Sequence, residues 1–143
     1  MADSRPLSQR LKEDNADLHG LAEHDAVPQH MVRGTMPREV YADYLGQMYL
    51  INRVLDGAIS ARLGSPGLLR TMVEPRQLQT PYLEADLAFL GVDAGGLEPL
   101  AGAARVIERI EAADRDTVLL GLHYVREGAN NGNRFLAARL KGP

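Results

Sequence analysis

The run from Pro37 to Gly64 limits what this chain can become more than any other stretch. Val40, Tyr41, Tyr44, Leu45, Met48, Tyr49, Ile51, Val54, Leu55, Ala58, Ile59 and Leu63 recur at helical spacing and give one wide apolar face. Proline suits a first helical turn, and Arg38 and Glu39 follow Pro37. Gly64-Ser65-Pro66-Gly67 then ends the run. The pattern predicts a long helix. No segment shows the period-two alternation of a strand, so the expected fold is all-α, a multi-helical bundle.

The other elements follow from the same signals. A helix is expected from about Pro6, with Ser4 as its cap. Leu7, Leu11, Leu18, Leu21 and Ala22 form its apolar stripe, and the stretch Leu11 to Glu23 reads as helical. His19 stands near the edge of that stripe. Lys12 precedes it by seven residues, about two turns, and so is expected on the same face. Asp25 to Gly34 reads as a short helix or turn, and residues 68–79 are mixed, with Pro75 as a breaker. Thr80-Pro81 opens a helix that runs through Leu90 and ends at Gly91, and Ala94-Gly95-Gly96 reads as a loop. From Leu97 or Glu98 to Ala113 a helix should turn Leu100, Ala103, Ala104, Ile107 and Ile110 inward.

The last helix is expected from about Val118 to Leu140, interrupted at Gly128-Ala129-Asn130-Asn131-Gly132-Asn133. Each glycine in a helix interior costs about 0.5–1 kcal/mol relative to alanine. Helical pattern resumes on both sides, which favours a kinked helix whose backbone approaches something closely over a plain loop.

Composition enters by exclusion. At 143 residues the chain, 1–143, is expected to be a single domain. A net charge of −3 recommends no nucleic-acid partner. No apolar run reaches the length of a membrane span, and the start, MADSRPLSQR, lacks the core of a signal peptide, so the expectation is a cytoplasmic protein with no membrane partner. There is no cysteine, hence no thiolate site and no cysteine nucleophile. Di-iron bundles place Glu-x-x-His pairs on their helices. Here the residues three before His19, His24, His30 and His123 are Ala16, Leu21, Val27 and Leu120.

What remains is a histidine on a helix face and a helix opened by small residues. A flat macrocycle such as haem needs both kinds of wall: an imidazole for the iron, and a helix that surrenders side-chain bulk so that its backbone can pass close to the ring. Lys12 could meet a propionate. Each feature also has a plainer reading. A lone histidine is usually structural or surface, a glycine-broken helix is usually a loop, and a lone lysine is usually a solvated charge. By that default His24, His30 and His123 take no role.

The order of these motifs resembles the haem oxygenase family. LKEDNADLHGLAEH is similar to its opening helix, with Lys12, His19 and Glu23 at the positions of its lysine, proximal histidine and glutamate. Arg33-Gly34 and the run Pro37 to Leu45 with Met48-Tyr49 resemble its next helices. Leu83-Glu84-Ala85-Asp86-Leu87 with Leu90-Gly91 matches its acidic-leucine segment. Leu119 to Gly128 is similar to the bacterial form of its distal helix. The resemblance runs from about Leu7 to Leu140.

It implies a biliverdin-producing haem oxygenase, with haem as both cofactor and substrate, O2 and an electron donor as co-reactants, and biliverdin, carbon monoxide and ferrous iron as products. By resemblance His19 is the iron ligand, Lys12 a propionate contact and Glu23 the support of the imidazole. Gly128 and Gly132 let the distal helix bend over the haem.

Three departures stand out. Asn133 replaces the second of two adjacent glycines, so its amide either crowds the ring or bonds a ligand on the iron; with Gly128 and Gly132 it makes up the expected catalytic set. Ala129 stands where many members carry an aspartate and some a serine. The chain stops at Pro143, where the family usually continues, so an open apolar face covered by a homodimer is expected. A catalytically silent haem carrier or sensor and a non-enzymatic helical dimerisation module are the alternatives.

Overall fold

A computed structural model describes residues 5–140, and side chains within 5–132. The described residues are mostly helical and no strand occurs among them, so the fold is all-α. By its internal contacts the chain forms two compact units, Met1–Met36 and Pro37–Pro143.

The first unit holds α1 (Leu7–Asp14), α2 (Ala16–Glu23) and α3 (Ala26–Arg33), none of which has a buried residue. The helix expected through Leu11–Glu23 is therefore broken at Asn15. The Asn15 amide donates to the Leu11 carbonyl at 2.8 Å, the local competition with the backbone that makes asparagine a poor helix-interior residue. Register along one helix thus does not carry Lys12 onto the face of His19. Asp25 caps α3 through the Ala26 N–H at 2.6 Å. Gly34 closes it with φ 67°, a left-handed angle that glycine adopts without penalty.

The second unit is built around α4 (Arg38–Leu63), which begins after Pro37 and ends at Gly64 as its punctuation requires. Against it lie α5 (Leu68–Met72), α6 (Thr80–Leu90), α7 (Ala101–Glu111) and α8 (Asp116–Leu140). One core cluster joins Leu55 and Ile59 to Leu69, Val73, Ile110 and Leu119; a second joins Leu45, Tyr49 and Leu50 to Leu87. Burying such a side chain is worth about 1.5–3 kcal/mol. Val40 and Tyr41, expected on the apolar face, are exposed. Gly46 permits a close approach: a Cβ there would stand 3.2 Å from a Leu97 methyl.

Two boundaries move. α7 begins at Ala101 rather than Leu97 or Glu98, and Leu100, expected inward, is 66% exposed. Gln47 of α4 accounts for both, since its amide donates to the Glu98 carbonyl at 3.1 Å and accepts from the Leu100 N–H at 2.8 Å. These bonds hold the segment extended. The other is in α8, which starts at Asp116 and stays helical through Gly128–Asn133, as the preference for a helix over a loop there required. A modest cost per glycine is not enough to break a helix held on both sides by its own ladder.

Candidate functional site

The expected site residues fall in both units. His19 lies on α2, where its side chain is 73% exposed, and its Nδ1 is 3.4 Å from Glu23 Oε1 one turn on. That places the carboxylate beside one ring nitrogen and leaves Nε2 as the nitrogen free to bind a metal. Lys12 is exposed on α1. The neighbouring histidines are engaged locally: His24 Nδ1 is 2.7 Å from the Gly20 carbonyl, and His30 Nδ1 is 2.9 Å from Thr35 Oγ1. No group of three or more histidine, aspartate or glutamate side chains is arranged to hold a bare metal ion among the described residues.

In the second unit, Gly121, Val125, Gly128 and Gly132 follow one another along α8 at steps of four, three and four, and all are exposed. A Cβ built at any of the three glycines would meet nothing within 4 Å. Apart from Val125, the positions along this line carry no side chain. The Asn133 side chain lies outside the described residues.

The opposite face of α8 was not anticipated. Leu119, His123 and Arg126 are buried there, with Asn130 half-buried. The Arg126 guanidinium pairs with the Asp56 carboxylate through Nη1, which also donates to Asn52 Oδ1 at 3.2 Å. Its Nη2 is 2.8 Å from His123 Nδ1. The second Asp56 oxygen accepts from the Gln79 N–H (2.8 Å), the Thr80 N–H (2.8 Å) and the Thr80 hydroxyl (2.6 Å), so one carboxylate receives both α8 and the start of α6. A carboxylate there also suits the positive end of the α6 dipole. Burial and the Arg126 charge push the His123 pKa down, against a smaller upward pull from Glu127 and Asp56.

Beside this cluster lies a cavity of about 270 Å³ lined mostly by apolar side chains from α4, α6, α7 and α8, with Asn52, Gln79, Arg126 and Asn130 among its polar groups. Ala129 lines it too and contributes no hydrogen bond. Tyr44, another lining residue, has its pKa raised by burial and is a neutral phenol at ordinary pH.

The signal for the missed cluster was present. On α4 the buried stripe runs Leu45, Tyr49, Asn52, Asp56, Ile59, at steps of four and three, so an amide and a carboxylate occupy core register. Arg126 and His123 do the same behind Leu119. A polar residue in core register needs a buried partner, and these four are one another's.

With this geometry in view, comparison with known families is decisive. Residues 5–140 match the family described as Heme oxygenase. The chain belongs to the haem oxygenase family. The match covers α1 through α8 and agrees with the all-helical architecture. The family acts on haem, binding and degrading it, and that general function extends to this member. The search of curated proteins finds no match. No helix among the described residues is long and apolar enough to cross a membrane.

Proposed function

We propose that this haem oxygenase family member binds haem through His19 and opens the ring to biliverdin, carbon monoxide and ferrous iron, using O2 and electrons from an external donor. The observation that carries the reading is the His19–Glu23 pair. Glu23 Oε1, one turn on and 3.4 Å from Nδ1, stands where a carboxylate can support an imidazole ligand and leaves Nε2 for the iron. Gly128 and Gly132 on α8 support the haem reading separately, because a flat ring can lie close to a backbone that carries no side chain there.

Haem, when bound, supplies the oxygen chemistry, and the protein's residues position it. Lys12 offers a cation to a propionate. Asn133 brings an amide to the distal helix, where Ala129 brings no hydrogen-bonding group. By this reading the chain works as one domain over 1–143, in the cytoplasm. Its exposed Tyr82 and Phe89, seven residues apart on one face of α6, favour a homodimer; sedimentation that returns a clean monomer would refute that part.

The test is an absorbance titration with hemin followed by ascorbate in air. A saturable Soret band that decays to a biliverdin spectrum is expected, and His19→Ala should abolish the histidine–haem spectrum. A stable band that never decays would leave a haem carrier, and an unchanged spectrum in the variant would remove His19 as the ligand.

A further inference from the structure

We propose that His123, Arg126 and Asp56 form a proton-sensitive latch holding α8 against α4, closed while His123 is neutral and opened when its imidazole takes up a proton. The inference goes beyond haem chemistry and does not depend on it.

Hydrogen-bond inventory carries the argument. A guanidinium only donates. Its 2.8 Å contact with His123 Nδ1 therefore requires a bare lone pair on that nitrogen, and the ring proton sits on Nε2. A second proton would go to Nδ1, setting N–H against N–H and cation against cation at that distance. The acceptors around the guanidinium are already engaged. One Asp56 oxygen holds Arg126 and the other holds Gln79 and Thr80, while the Asn52 amide is committed to the Met48 carbonyl at 2.8 Å. Arg126 is 9% exposed, and its Nε is buried with no partner among the described residues.

The charges around His123 can be named. Its own helix supplies Arg126 and Glu127, and α4 supplies Asp56. Gln77 and Gln79, before α6, are neutral, and Gln77 is engaged with Glu127 at 3.2 Å. Arg70 of α5, the other helix packed on α8, is exposed. Burial comes first and Arg126 second in lowering the His123 pKa. The sign follows: the folded chain binds fewer protons than the unfolded chain, so its stability rises with pH. As pH falls below the ordinary histidine value, about 6.5, that stability is lost until the folded pKa is reached.

The experiment is urea unfolding of the haem-free chain at about pH 7.5 and about pH 5.5, on either side of the histidine range. The partner variant is His123→Asn, whose amide oxygen can accept from Arg126 but cannot titrate. The wild-type midpoint should fall between the two conditions by clearly more than the variant's. Equal falls would overturn the latch. Ring-nitrogen NMR of the wild-type chain settles the matter even if the variant fails to fold: a bare Nδ1 at neutral pH is expected, and a proton on Nδ1, or titration at the ordinary histidine value, would sink the proposal. Because no haem is present, neither result can be confused with a failure of haem binding.

Discussion

Along α8, Leu119, His123 and Arg126 are buried, whereas Gly121, Val125, Gly128 and Gly132, on the opposite side of the same helix, are exposed. The first face is dense with hydrogen bonds to α4 and the segment before α6. On the second, no described side chain approaches the sites where the glycines lack a Cβ. The contrast teaches how one helix can be both an anchor and an open wall. A helix stripped of bulk for a ligand gains little packing on that side. Its placement must come from behind, and here it comes from a buried ion pair as well as from hydrophobic contact.

This contrast can be broken from either side. The largest effect should come from Asp56→Ala, which strands a buried guanidinium and uncaps the start of α6. Removing one partner of a buried pair typically costs about 3–5 kcal/mol, a large share of the roughly 5–15 kcal/mol that holds a domain together. Thermal or urea unfolding reads it, and a loss below about 1 kcal/mol, the worth of a surface pair, would mean that the pair does not anchor α8.

The open face should respond in the opposite sense. Gly128→Ala should stabilise the helix by about 0.5–1 kcal/mol, since alanine is the better helix former and its methyl meets nothing. Gly128→Leu should leave folding intact and weaken hemin binding. If Leu is accepted with hemin affinity unchanged, the strip is not a haem wall. Smallest is Lys12→Ala: a partly exposed charge pair is worth about 1 kcal/mol or less, so hemin titration should show at most a modest rise in Kd, and loss of folding would make Lys12 structural.

How much of this was legible follows the punctuation. Pro37 with Gly64, and Thr80-Pro81 with Gly91, bounded α4 and α6 because proline and glycine act locally. The start of α7 was misread because Gln47, far off in sequence, holds the Glu98–Leu100 segment. The Asn15 break was local and readable, but the apolar stripe across it outweighed one asparagine. His19 stood out on its helix face, and Glu23 by resemblance alone. Asp56 and Arg126 did not, although both sit in core register; a single sequence gives the need for a buried partner without saying which residue meets it. At Gly128–Asn133 the helical pattern on both sides favoured a helix over a loop, and α8 is helical through the stretch.

Asp56 has one more consequence, for the order in which the molecule comes apart. Its two oxygens terminate bonds from α6 and from α8, so neither segment can leave α4 without disturbing the site that receives the other. The first turn of α6 and the middle of α8 then belong to one cooperative opening unit, and their amides should exchange with solvent at a shared free energy. The helices of the first unit have no buried residue. Native-state exchange should therefore find them open at lower cost, while the Asp56 junction opens last and all at once.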